Sequence, residues 1–219
     1  MATILFMHGF ATGPIIWKDQ VRGFAKDYKV VTDIERLDHS TDVYVVGWSM
    51  GGWKALDLFA EHRQEIRGLV LVSAFPKYVK SADYPCGAPL ALLKRLEKKF
   101  LTDYKQGMNY FYDLIFKDKQ SHHLIDHLPV PERGDLEKWF KRLEHDDLRG
   151  LLPTINVPVL LIHGDKDPIV SAQTATYMKD RIKESDLHLL AGVGHAPFLE
   201  DKERFNKLLR DFISKHEKY

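Results

Sequence analysis

The chain has 219 residues, with 32 Lys and Arg against 31 Asp and Glu and hence a formal net charge of +1. That balance excludes a global pull toward nucleic acid or an anionic membrane, either of which calls for a basic excess. The hydrophobic fraction of 44% and the charged fraction of 29% suit a globular protein with one sizeable core.

The apolar run Ile4 to Met7 is stopped by His8-Gly9 and reads as a strand buried on both faces. It is also too short for the core of an export signal. Pro14 suits the first turn of a helix in which Ile15, Ile16, Val21 and Phe24 share an apolar face. Val30-Val31 and Val43 to Val46 read as the second and third strands, Ala55 to Phe59 as a helix, and Leu69 to Val72 as the fourth strand. Late in the chain, Val157 to Ile162 and Leu187 to Leu190 are further strands, and Phe205, Leu208, Leu209 and Phe212 mark a closing helix. Buried strands alternating with amphipathic helices predict a compact, doubly wound α/β sheet of about six mostly parallel strands.

Between Pro76 and Pro153 the alternation breaks. After Pro89, Leu92, Leu93, Leu96, Phe100 and Tyr104 recur at helical spacing, with Lys94, Arg95, Lys98 and Lys99 on the other side. Met108 to Phe116 and Asp135 to Glu144 read as two more helices. Such an insertion, beside the carboxyl ends of parallel strands, is expected to be a helical lid. It divides the chain into a core of residues 1–75 and 154–219 and a cap of residues 76–153, unless the helices are a packed subdomain with no substrate role.

The sharpest chemical signal is Gly47-Trp48-Ser49-Met50-Gly51-Gly52, set between a strand and a helix. A serine on such a tight turn is held in a strained conformation at the sheet's edge, with free N–H groups of the following helix aimed at it. A plain Gly-Ser turn is the alternative; the strand and helix on the correct sides favour a nucleophile. A serine hydroxyl needs a base, and the base needs an orienting acid. His195, in Gly194-His195-Ala196-Pro197-Phe198 after the last strand, supplies the base. The acid comes from His163-Gly164-Asp165-Lys166-Asp167-Pro168, where Asp165 competes with Asp167 and the spacing Gly164, Asp167, Val170 favours Asp167. Ester or thioester hydrolysis also needs two donors for the developing oxyanion, expected at the backbone N–H groups of Met50 and Phe10, with the Phe10 ring facing the pocket. His122, His123 and His127 lack nearby cysteines and make a poor zinc site, so no metal and no cofactor are expected. The single cysteine, Cys86, leaves no disulfide framework and points to a reducing compartment, the cytoplasm. No segment reaches the roughly 20 apolar residues needed to span a bilayer.

On these motifs the chain resembles the α/β hydrolases over essentially its whole length. Within them, His8-Gly9-Phe10 with Trp17, the Ser49 hexapeptide, Asp167 and the His195 loop are most similar to the pimeloyl-acyl-carrier-protein methyl ester esterases of biotin synthesis. The resemblance implies a cytoplasmic serine carboxylesterase with Ser49 as nucleophile, His195 as general base and Asp167 as its partner. It implies an acyl pocket lined by Phe10, Trp48, Phe111 and Ile115. Thioester or carbon–carbon bond hydrolysis, or ligand binding without turnover, are the other readings. Family members hold an acidic carrier through lid arginines, whereas this chain carries Gln106, Tyr110, His123 and His127 near those places. The basic run Lys94, Arg95, Lys98 and Lys99 is the substitute surface for an acidic carrier protein, and a solvated helix face is its equal alternative.

Overall fold

The computed structural model describes residues 1–37, 42–116 and 119–217. Its strands are β1 (Thr3–Met7), β2 (Lys29–Val31), β3 (Val43–Trp48), β4 (Ile66–Val72), β5 (Val159–Gly164) and β6 (Ser185–Leu190). They form one sheet in the order β2-β1-β3-β4-β5-β6, and every pairing is parallel. The chain runs outward from β1 to β2 and then crosses back to β3, so the loops after β1 and β3 part from each other at a topological switch point. Helices α1 (Lys18–Phe24), α2 (Met50–Glu61), α6 (Ala172–Lys179), α7 (Pro197–Glu200) and α8 (Lys202–His216) connect or follow the strands. Helices α3 (Leu90–Thr102), α4 (Tyr104–Ile115) and α5 (Arg133–His145) make up the insertion between β4 and β5.

Strand side chains alternate between faces, and each face feeds its own core. Tyr44, Val46 and Trp48 of β3 enter one apolar cluster, and Val43 and Val45 enter the other. The first cluster does not stop at the sheet. It continues through Phe10 into Leu93, Leu96, Phe100, Met108, Phe111 and Phe140 of the insertion. The Phe10 ring meets those of Phe100, Phe111 and Phe140 at centroid separations of 5.3, 5.6 and 5.3 Å, tilted against the first and edge-on to the other two, the edge-on arrangement being one that aromatic pairs favour. At the base of the insertion its ends meet, with the Leu148 N–H donating to the Pro76 carbonyl at 2.8 Å and Lys77 paired with Asp147 at 3.3 Å.

Three expectations for the insertion change in the structure. The helix expected to run through Tyr104 breaks at Asp103, whose carboxylate accepts the Gln106 N–H at 3.0 Å and so caps a new helix beginning at Tyr104. Leu92 is 54% exposed and belongs to the outer face of α3, not to the core. The basic face is partly neutralised, because Lys94 pairs with Glu97 at 3.0 Å and Glu144 at 2.5 Å. Arg95 and Lys99 lie over the Tyr110 ring, and Lys98 is exposed. Among the described residues, no helix is long and apolar enough to cross a membrane.

Candidate active site

Ser49 occupies the turn between β3 and α2 with φ 54° and ψ −122°. A side chain at positive φ is strained by about 1–3 kcal/mol, and the surrounding structure must hold it there. The holding contacts are explicit. The Ser49 N–H donates to the Val72 carbonyl at 2.8 Å, while its own carbonyl accepts from Gly52 and Trp53 at 2.9 and 3.2 Å. A Cβ on Gly51 would stand 2.2 Å from the Met7 carbonyl oxygen, so only glycine lets α2 start this close to the end of β1. Serine at a helix N-cap ordinarily caps the helix, but the Ser49 hydroxyl makes no capping bond. The Met50 N–H, at the first position of α2, lies at the positive end of the helix dipole.

The His195 ring is fully buried. Its Nδ1 lies 2.8 Å from Asp167 Oδ2, and its Nε2 has no hydrogen-bond partner among the described residues. The Asp167 carboxylate is saturated on the other side, with Oδ1 accepting the N–H groups of Ile169 at 2.8 Å and Val170 at 2.9 Å. His163, at the end of β5, donates through Nε2 to the Val170 carbonyl at 2.9 Å and stands 3.2 Å from Asp167 Oδ2. Burial alone would raise the Asp167 carboxyl; the His195 and His163 rings outweigh it and hold the group well below the usual carboxylate range. Asp165, the other acid left open by the sequence, is exposed and accepts the Gly192 N–H at 2.7 Å. Of the two acids, only Asp167 reaches the imidazole. The close approach behind this contact depends on Gly164, where a Cβ would meet the Gly194 carbonyl oxygen at 2.1 Å.

Two residues that the sequence reading passed over support the histidine loop. The Glu200 carboxylate accepts the Gly194 N–H at 3.0–3.1 Å and the Ala196 N–H at 3.3 Å, bracketing His195 from both sides. Gln20, fully buried on α1, donates to the Phe198 carbonyl at 2.9 Å. The signal for Glu200 was an acid five residues beyond His195, which by itself does not distinguish a capping carboxylate from a surface one. Because these Glu200 contacts hold the backbone on both sides of His195, its loss acts through His195. Glu200→Gln is expected to lower kcat on an ester about 10-fold, with KM little changed, and to cost about 1.5–3 kcal/mol of stability, measured by steady-state kinetics and thermal melting.

Of the residues expected to line an acyl pocket, only Phe10 reaches the cavity beside the Ser49 turn. That cavity, of about 290 Å³, is walled by Phe10 and Met50 together with Phe100, Tyr104, Leu136 and Trp139 of the insertion. Trp48 is buried and donates through Nε1 to the His195 carbonyl at 2.7 Å, bracing the loop. Phe111 and Ile115 are buried in the aromatic cluster and do not line this cavity. A neighbouring cavity of about 680 Å³ shares His8, Thr12, Leu128 and Pro129 with the first and extends to Lys18, His123 and His127. His122 is paired with Asp113 at 3.0 Å.

The family model described as serine aminopeptidase, S33, matches residues 8–202. Among curated proteins the chain is similar to pimeloyl-acyl-carrier-protein methyl ester esterases. One from Neisseria meningitidis serogroup A is 33% identical over 85% of this chain, and the match spans 62% of that relative's length. Another from serogroup C is 32% identical, covering 85% of this chain and 75% of the relative. One from Nitrosomonas europaea is 28% identical over 92% of both chains. In fold, the structure is similar to an esterase from Exiguobacterium antarcticum, with a TM-score of 0.86, 21% identity and coverage of 98% of this chain and 92% of that one. Esterase RhEst1 from Rhodococcus gives a TM-score of 0.79 at 19% identity, covering 99% and 91%. With a family model spanning the Ser49 turn, the Asp167 loop and the His195 loop, the chain belongs to the serine aminopeptidase, S33, family of the α/β hydrolases.

Proposed function

We propose that this protein is a serine carboxylesterase acting on a medium-chain acyl ester, a methyl ester being the form that its curated relatives' names carry. The observation that carries this reading is the buried His195 ring, held at Nδ1 by Asp167 and left without a partner at Nε2. Ser49 Oγ attacks the ester carbonyl carbon while His195 Nε2 takes its proton. The oxyanion is received by the Met50 and Phe10 N–H groups, at the dipole end of α2 and in the loop after β1. The carbon–oxygen bond then breaks, and the alcohol leaves with the proton from His195. Water, deprotonated by the same ring, releases the acid from the acyl-enzyme. Asp167 holds the ring in the required tautomer and stabilises its charge.

In this reading residues 76–153 form a cap over the site. Its supports are the burial of Ser49, 5% exposed, and the seven cavity-lining residues that the insertion supplies, Phe100, Tyr104, Leu128, Pro129, Pro131, Leu136 and Trp139. A carrier-bound acyl ester, as named for the relatives, would meet the cap at Arg95, Lys98 and Lys99, with Lys94 already engaged by glutamates.

The test is labelling with a fluorophosphonate probe beside methanol release from a medium-chain methyl ester. Rapid covalent modification located at Ser49, with multiple turnovers of the ester, is expected. Tight ester binding without labelling or turnover would instead mark a binding protein.

A further inference from the structure

Among the described residues, three that are not glycine have positive φ: Ala11 at 53°, Ser49 at 54° and Ser73 at 45°. All three follow the ends of strands, β1, β3 and β4, at the carboxyl edge of the sheet. A left-handed conformation is costly for a residue with a Cβ and persists only where other contacts hold it. The sheet holds two of them. The Ser49 N–H donates to the Val72 carbonyl at 2.8 Å, and the Ser73 N–H donates to the Ile162 carbonyl at 2.9 Å. Ala11 lies past the last pairing of β1, Met7 with Gly47, and its anchor comes from the insertion. The Tyr112 hydroxyl of α4 donates to the Ala11 carbonyl at 3.1 Å. The Tyr112 ring is fully buried, edge-on to Phe116 at 5.1 Å and to His122 at 5.8 Å. Burial raises the Tyr112 hydroxyl from its ordinary value, so it stays protonated and able to donate. On its inner side the same loop is closed by Thr12, whose Oγ1 donates to the Gly9 carbonyl at 2.9 Å.

The φ of Ala11 is the rotation between its own carbonyl and the peptide that joins it to Phe10. With that carbonyl fixed by Tyr112, the rotation sets where the Phe10 peptide lies. Relaxation of Ala11 to an ordinary negative φ would turn that peptide by roughly 110–120°. Resting on the reading of Phe10 as an oxyanion donor, we propose that Tyr112 is a positioning residue for the reaction. Through the Ala11 carbonyl it holds the loop after β1 in the strained form that aims the Phe10 N–H at the developing oxyanion. Tyr112 does not line the cavity beside the Ser49 turn, so its hydroxyl serves the transition state and not the binding of the ester.

The experiment compares wild type, Tyr112→Phe, and Tyr112→Phe with Ala11→Gly in hydrolysis of a medium-chain methyl ester and in inhibition by an alkylboronic acid of the same chain length. The boronic acid reports on the oxyanion: Ser49 Oγ bonds to boron, its proton passes to His195, and an oxygen on the now tetrahedral, negatively charged boron takes the oxyanion's place. Phenylalanine keeps the ring and its packing and removes only the donor. In Tyr112→Phe, kcat and boronate affinity are each expected to fall about 5- to 10-fold, with KM within about twofold. Glycine adopts positive φ without strain, so the double variant is expected to regain most of both losses while the hydrogen bond stays absent. A tyrosine that only stabilised the fold would not give that recovery. Unchanged kcat and boronate affinity in Tyr112→Phe, a rise in KM in place of the fall in kcat, or no recovery in the double variant each overturns the assignment. A wild type that neither turns over the ester nor binds the boronate rejects the esterase reading and this inference with it. A wild type that does both, beside an indifferent Tyr112→Phe, rejects the positioning role alone.

Discussion

Alanine at position 49 is expected to lower kcat on a methyl ester by a factor on the order of 10⁴ or more, with the circular dichroism spectrum unchanged. Glycine at the same position is expected to be equally inactive and more stable. Ser49 has φ 54°, and alanine keeps the Cβ that makes this conformation costly. Glycine removes that strain, worth about 1–3 kcal/mol, against an entropic penalty of about 0.4–1 kcal/mol in the unfolded chain. Ser49→Gly should therefore melt several degrees above Ser49→Ala. A lower melting temperature would mean that the turn is not strained, and ester turnover retained by either variant would remove Ser49 from the chemistry.

Asp167→Asn is expected to reduce kcat about 10⁴-fold, because an amide facing His195 Nδ1 favours the wrong tautomer and does not balance the imidazolium. Asp165→Asn, which changes an exposed contact with the Gly192 N–H, should retain activity within a few fold. Acid titration gives a second readout. Burial would raise the Asp167 carboxyl, but the His195 and His163 rings hold it below its ordinary value. A carboxyl depressed on folding contributes stability that is complete above the unfolded value of about 3.9 and is lost as the pH falls below it. The melting temperatures of wild type and Asp167→Asn should thus differ most above about pH 4 and converge in stronger acid. Curves that stay parallel down to pH 2 would show that the carboxylate charge adds nothing.

The parallel sheet was legible because its inner strands are apolar on both faces, so Val43 to Val46 and Leu69 to Val72 stand out without alternation. Ser49, Asp167 and His195 each follow a strand, β3, β5 and β6, a placement readable from the order of strands and turns, and the 2.8 Å contact between Asp167 and His195 joins two of them. The lid helices were harder. Leu92 and Leu93 are adjacent and equally apolar, yet the first is 54% and the second 1% exposed, and only the direction of packing decides between them. Asp103 falls inside the apolar spacing that runs from Leu92 to Tyr104, and its carboxylate caps α4 there. Phe111 and Ile115 carry the right chemistry for a pocket, but helical spacing tells which residues share a face and not what that face meets. Glu200 was silent for the same reason: its role depends on what lies opposite, the N–H groups of Gly194 and Ala196.

Phe10 joins two jobs that many enzymes keep apart. Its backbone sits in the loop after β1, and its ring is wedged among Phe100, Phe111 and Phe140 of the insertion. In the proposed reading the same loop supplies an oxyanion donor, so a shift of those helices would also withdraw packing from the loop that serves the reaction: the insertion and the chemistry are coupled through this side chain.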